Sequence, residues 1–137
     1  LKIGTKAFKG CSKLTQFVIP QKVTKIESRT FERCSSLSNI SIHSDVKEID
    51  EAAFAECNSL EKIEFDDHSK LVSIGEKAFC GCSTLTEVDI PSSVTEIGGK
   101  SFEGCKMLKQ ISIPSSIKKL FLSRFIGIDK NVVVIKK

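Results

Sequence analysis

Six cysteines, two histidines and an Asp66-Asp67 pair are the side chains that could carry covalent or metal chemistry in this 137-residue chain. Cysteines at this density raise a disulfide framework, a zinc site or a nucleophile as possibilities. Their spacing speaks against the framework. Cys11, Cys34, Cys57, Cys82 and Cys105 recur every 23 to 25 residues, so they hold one position of a repeated unit. At such a position a thiol acts as a small apolar filler with a weak S–H donor. Cys80 stands apart, because its equivalents are Lys9, Glu32, Ala55 and Glu103, read here as solvent-facing types. An exposed free thiol is expected there, and with it a route to self-association.

Structural zinc wants four converging ligands, usually with C-x-x-C or H-x-x-x-H spacing. Cys80-Gly81-Cys82 is spaced wrongly, and His43 and His68 fall in different copies. Asp66-Asp67 reads as a solvated loop. Nucleophilic catalysis needs a base beside the nucleophile, and the sequence places neither histidine to serve as one. No phosphate-cradling glycine pattern occurs either. The expectation is no metal, no cofactor and no enzyme.

What must position these residues is a repeat. Phe8, Phe31, Phe54, Phe79, Phe102 and Phe125 are separated by 23, 23, 25, 23 and 23 residues. The cysteines follow three residues later, and Leu14, Leu37, Leu60, Leu85 and Leu108 three later again. Five residues before each Phe sit Ile3, Ile26, Ile49, Ile74, Ile97 and Leu120. In the copy that opens at Ile74, Leu85-x-x-Val88-x-Ile90 predicts a strand closed by Pro91, and Val94-x-x-Ile97 a second extended piece. Between Gly75 and Cys82, Glu-Lys-Ala-Phe predicts one or two helical turns that end at Gly81.

No copy can bury its Ile, Phe, Cys and Leu alone, whereas stacked copies can. The fold class expected is therefore an α/β repeat solenoid. It is read as a right-handed leucine-rich-repeat coil with a parallel β-sheet and short helical or 3-10 turns, in about six coils. The copies are 3–25, 26–48, 49–73, 74–96 and 97–119, with a degenerate terminal copy at 120–137. At about 4.8 Å per strand the rod is about 25–30 Å long. The chain opens on Leu1, partway through a copy, and is read as a piece of a longer one whose first coil face is uncapped.

Composition narrows the function further. Nine Phe but no Trp or Tyr leave few aromatic platforms for sugars or bases. No run of 18 apolar residues occurs, so no membrane insertion is expected, and no segment reads as a secretory signal. Charge is segregated: residues 1–42 carry 8 Lys/Arg and 2 acids, 43–96 carry 4 and 13, and 97–137 carry 9 and 2. A uniform basic stripe for nucleic acid is absent. The acidic middle suits a basic partner or the basic end of a second copy.

The pattern Ile-Gly-x-x-Ala-Phe-x-Gly-Cys-x-x-Leu-x-x-Val-x-Ile-Pro, complete at residues 74–91, resembles the BspA-like (Treponema pallidum type) leucine-rich repeat, over essentially the whole chain. The resemblance implies a surface or secreted protein of a bacterium or protozoan parasite. Its expected role is adhesion to host proteins, including extracellular-matrix or host surface proteins, or to neighbouring cells. An intracellular, cytoplasmic protein-interaction scaffold of the same repeats stays open, as does an enzyme whose catalytic domain lies elsewhere.

Departures from the pattern are local. Two extra residues fall in 65–71, His43 fills a proline slot, and the terminal copy lacks the Gly-Cys pair. Asn39-Ile40-Ser41 is a glycosylation sequon, relevant only in a eukaryotic secretory pathway. Strand alternation leaves two outward rows as the candidate protein-binding face. One is Gln16, Asn39, Lys62, Glu87 and Gln110; the other is Val18, Ser41, Glu64, Asp89 and Ser112.

Overall fold

The structure, a computed structural model, describes residues 1–117 and 122–137. The central copies each supply one longer and one shorter strand, because apolar alternation occurs twice per repeat; the first copy shows no longer strand. The elements are β1 (Lys25–Ile26), β2 (Asn39–Ile42), β3 (Glu48–Ile49), β4 (Lys62–Phe65) and β5 (Ser73–Ile74). There follow β6 (Glu87–Asp89), β7 (Glu96–Ile97), β8 (Gln110–Ile113), α1 (Leu122–Ile126) and β9 (Val133–Lys136). The short strands pair in the order β1-β3-β5-β7, and the longer ones as β2-β4 and β6-β8-β9. Every pairing is parallel and joins equivalent residues, Ile26 with Ile49, Ile74 with Ile97, Val88 with Ile111. The chain is a parallel-strand solenoid.

Equivalent side chains stack into columns between the sheets. The rings of Phe8, Phe31, Phe54, Phe79 and Phe102 follow one another at 5.6, 5.2, 5.3 and 5.5 Å between centroids, within 13° of parallel. These spacings suit offset aromatic stacking. Cys34, Cys57, Cys82 and Cys105 are buried, and Cys11 in the first coil is half-buried. All six cysteines are free. Each buried thiol sits near a carbonyl of the preceding coil: Cys34 Sγ donates to Phe8 O at 3.2 Å, and Cys57, Cys82 and Cys105 repeat the contact on Phe31, Phe54 and Phe79. The thiol column thus cross-links coils by hydrogen bonds as well as filling space.

Two sequence expectations fail in the corners. The stretch from Gly75 to Cys82 is a chain of tight turns with no helix. Alternate N–H groups close locally, Ala78 on Gly75 O and Cys80 on Lys77 O; the others reach the next coil, Lys77 to Gly99 O and Phe79 to Ser101 O. A helix would turn all of them inward. Reaching across requires left-handed residues two before and two after each Phe: Lys6, Arg29, Ala52, Lys77 and Lys100, then Gly10, Arg33, Glu56, Gly81 and Gly104. Non-glycine residues are uncommon there, so inter-coil bonding overrides the helix propensity of Glu-Lys-Ala-Phe.

The sixth Phe is the second failure. Phe125 is 38% exposed and Ile126 is buried instead. Lys100 N–H bonds to Phe125 O, as Arg29 N–H bonds to Glu51 O. This sets Phe125 beside the coil position three residues before the Phe column. The terminal coil winds as α1, with its N–H groups closing inside it, Gly127 on Ser123 O, and this shifts its register. Leu120, assigned to the Ile column, lies outside the described residues.

Candidate protein-binding faces

The longer strands present the candidate rows. Ile40, Ile42 and Ile63 are buried while Asn39, Ser41, Lys62 and Glu64 point out, and Glu87 and Asp89 flank buried Val88. Gln16 and Val18 are also exposed, Val18 to 87%. Cross-strand register sets Asn39 beside Lys62, Ser41 beside Glu64, Glu87 beside Gln110 and Asp89 beside Ser112. Gln16, Val18, Asn39, Ser41 and Glu64 border one shallow depression of about 420 Å³ with Phe65 at its edge.

The two rows are interrupted. The sheet divides between β4 and β6, at the copy that carries the two extra residues. Those residues form a turn in which Ser69 N–H bonds to Asp66 O and Lys70 pairs with Asp45 at 3.1 Å. At the break Thr84 Oγ1 donates to Asn58 O and Leu60 O at 2.9 and 3.1 Å. Gln110 and Ser112 are half-buried, because β9 pairs along β8 with Val133 beside Gln110 and Ile135 beside Ser112. Val133 and Ile135, 57% and 40% exposed, extend the rows. The Val-Val-Val-Ile run was the signal for that strand; its pairing could not be read from the degenerate copy.

Most charges in the rows are paired, and of Lys62, Glu64, Glu87 and Asp89 only Glu87 has no ion-pair partner among the described residues. Lys62 meets Glu64 at 3.2 Å and Lys137 meets Asp89, both at the surface. His43 is structural: its Nε2 lies 2.9 Å from Pro20 O while Nδ1 accepts from Asp45 N–H, so the Nε2 proton ties two coils. His68 is exposed. Among the described residues no three His, Cys, Asp or Glu side chains cluster to hold a metal.

Cys80 is half-buried rather than exposed. The position it occupies is a packed corner: Glu32 and Ala55 there are 7% and 6% exposed, and Glu32 is clamped by Lys9 at 3.1 Å and Arg29 at 2.8 Å. Burial raises the Cys80 pKa first, and the carboxylates of Glu56 and Glu103 add to the shift. In the column, burial pushes Cys34 up to about 11 and Cys57 and Cys105 up to about 12, and Cys82 is raised as well. Thiolate is the reactive form. A disulfide-exchange reagent at pH 8 is therefore expected to label the half-buried Cys11 and Cys80 in the folded protein, and the other four only on unfolding. Native labelling of all six at one rate would contradict the column.

A second surface lies over the shorter strands, and the sequence reading did not single it out. Its outward row runs Lys25, Glu48, Ser73, Glu96. Lys25 Nζ lies 3.5–3.8 Å from Glu48, Asp50 and Glu27, whose charges, Glu27 foremost, raise its pKa. A groove of about 700 Å³ runs along this row to Ile117, Leu122 and Phe125.

Residues 1–130 match the BspA type leucine rich repeat region, in six copies. No curated protein matches the chain significantly. Among solved structures, a leucine rich cell surface protein from Faecalibacterium prausnitzii is 32% identical over 90% of this chain, with a TM-score of 0.76. This chain spans only 32% of that protein. The leucine rich repeat protein of T. pallidum is 28% identical, with a TM-score of 0.65, over 89% of this chain and 69% of that one. The pneumococcal vaccine antigen PcpA shares the fold, at 23% identity and a TM-score of 0.64, over 95% of this chain and 40% of that one.

Proposed function

The chain belongs to the BspA type leucine-rich repeat family, and from that premise we propose that it is a protein-binding module of a surface or secreted protein, acting in adhesion. It works by presenting side chains, with no bond-breaking step. The observation that carries this reading is the contrast between layers on the longer-strand face. Beneath it the Ile, Phe, Cys and Leu columns hardly vary. Above it the outward rows run through Val18, Asn39, Lys62, Glu64, Glu87 and Asp89, a mixed chemistry that stacking does not require. Likeness to a cell surface protein of F. prausnitzii supports the location. No described helix is long and apolar enough to cross a membrane.

The ligand class proposed is a host extracellular-matrix or cell-surface protein with a basic patch, since Glu64, Glu87 and Asp89 make the middle of the face acidic. Reversing all three to Lys is expected to weaken capture of such proteins at least tenfold, measured by immobilising the chain and titrating purified matrix proteins. Stability should change by less than about 1 kcal/mol, because exposed ion pairs contribute about 0–1 kcal/mol. Undiminished capture by the reversed protein would move the site off this face.

A further inference from the structure

The strand β9 closes the row β6-β8-β9, and no described strand meets its outer edge. Val133 and Lys137 turn their backbone groups toward β8. Val133 N–H bonds to Lys109 O at 2.9 Å, Lys137 N–H to Ile113 O at 3.1 Å, and Ser115 N–H to Lys137 O at 2.8 Å. Backbone groups alternate in direction along a laddered strand, so those of Val134 and Lys136 point away from β8. They bond to none of the described residues. The side chains add to this. Val133 and Ile135 stand on the outward face, 57% and 40% exposed, where a guarded edge commonly carries charge. Unpaired N–H and C=O groups beside exposed apolar side chains are a template for a further strand.

We propose that this edge pairs antiparallel with β9 of a second copy, with Val134 opposite Val134 across a two-fold axis. The residues single out that register. It exchanges both backbone bonds between the two Val134 residues and brings Lys136 N–H to the Val132 carbonyl on each side of the axis. Val132 uses its N–H inside its own coil, on Asp129 O at 3.1 Å. On the outward face Val133 of each copy lies directly opposite Ile135 of the other, so both exposed apolar side chains gain a cross-strand neighbour. Lys136 meets Val132, and Lys137 meets Asn131. A shift that sets Val133 against Val133 puts Ile135 opposite Asn131 and Lys136 opposite Lys130, like charges face to face. The opposite shift sets Ile135 against Ile135 but puts Val133 opposite Lys137. The lysines therefore reject the neighbouring registers and leave this one. The product is a single sheet with three strands from each copy, joining the outward faces of two solenoids. The pairing itself does not rest on the adhesive reading, although a doubled face would add avidity to it.

The test is sedimentation velocity on the chain between 10 µM and 1 mM, with reductant present so that no disulfide contributes. The contact is small, so half-association is expected at about 100 µM, in the range of weak, transient interfaces. It should not weaken at 300 mM salt. Val134→Pro removes the central donor and leaves the bonds to β8, and should lower association at least tenfold. Val133→Glu and Ile135→Lys should each associate at least tenfold more weakly than the parent. Their equimolar mixture should associate at least fivefold more tightly than either alone, because only the mixed pair sets a carboxylate opposite an ammonium. Thermal unfolding of each variant should stay within a few degrees of the parent, so that lost association is not lost fold. A chain still monomeric at 1 mM, association that Val134→Pro leaves intact, or a mixture no tighter than its components overturns the proposal. Parent association lost at 300 mM salt also overturns it, because a basic end then docks on the acidic middle of the second copy.

Discussion

Phe54→Ala is expected to lower stability by about 3–5 kcal/mol, the range for deleting a fully buried aromatic side chain. Phe54 is 0% exposed and its ring contacts Phe31 at 5.2 Å and Phe79 at 5.3 Å. Removing it opens a void that two coils share, and the inter-coil hydrogen bonds of the flanking turns limit collapse into it. In a stacked array stability is close to a sum of unit and nearest-neighbour terms, so loss at a central coil weakens both of its interfaces. Phe8→Ala, at the half-buried start of the column, should cost markedly less. Urea unfolding followed by far-UV circular dichroism measures both, since the chain has neither Trp nor Tyr for fluorescence. Equal costs at Phe54 and Phe8 would contradict a column with a covered centre and an open end.

Gly98→Ala is expected to destabilise by about 3 kcal/mol, at the upper end of overpacking costs, although it adds one methyl group. A Cβ at Gly98 would sit 2.3 Å from Glu76 N and 2.6 Å from Gly75 C; at Gly75 it would sit 2.7 Å from Asp50 C and Glu51 N. These neighbours are backbone, so no side-chain rotation relieves the clash, and the coils must separate. Gly4 holds the same place in the first copy with nothing within 4 Å. Gly4→Ala should be neutral or slightly stabilising, through reduced freedom of the unfolded chain. The pair is an internal control read by the same urea titration. A Gly98→Ala protein as stable as Gly4→Ala would mean that the later coils are not closed against each other as described. Glu27 and Asp50 show that this place can take a side chain where the coils are built for one.

How much of this was legible in the sequence follows from what sets each feature. The columns were legible because a solenoid buries like on like, and the 23-residue spacing of Phe, Cys and Leu records that directly. The strands were legible for the same reason: Val88 and Ile90 alternate with Glu87 and Asp89, and Pro91 ends the run. The corners were not. Whether Lys77 and Phe79 point their N–H groups along a helix or across to Gly99 and Ser101 is decided by the neighbouring coil, which local propensity does not see. Phe125 kept the period but lost the position, since α1 takes up chain differently from the turns it replaces. The division of the sheet after β4 and the addition of β9 arise where copies stop being alike, at the extra residues and in the degenerate end.

The candidate surfaces divide along the same line. Eight of the ten row residues point outward as strand alternation predicts, whereas Gln110 and Ser112 are half-buried under β9. Val133 and Ile135 were missed because no repeat position announced them. The shorter-strand groove was missed because Phe125 does not share the repeat position of Gly75 and Gly98, and only the stack brings them together. Cys80 was misjudged for a related reason: Lys9 and Glu103 suggest solvent, while Glu32 and Ala55 at that same corner are buried.

The most direct measurement is a crystal structure of the chain at a resolution that orients the Phe rings. The account expects Phe8, Phe31, Phe54, Phe79 and Phe102 in one parallel pile at about 5.2–5.6 Å, with unpaired thiols directed at the Phe carbonyls beside it. Rings dispersed among separate helices, or sulfur atoms of different copies joined covalently, would contradict it.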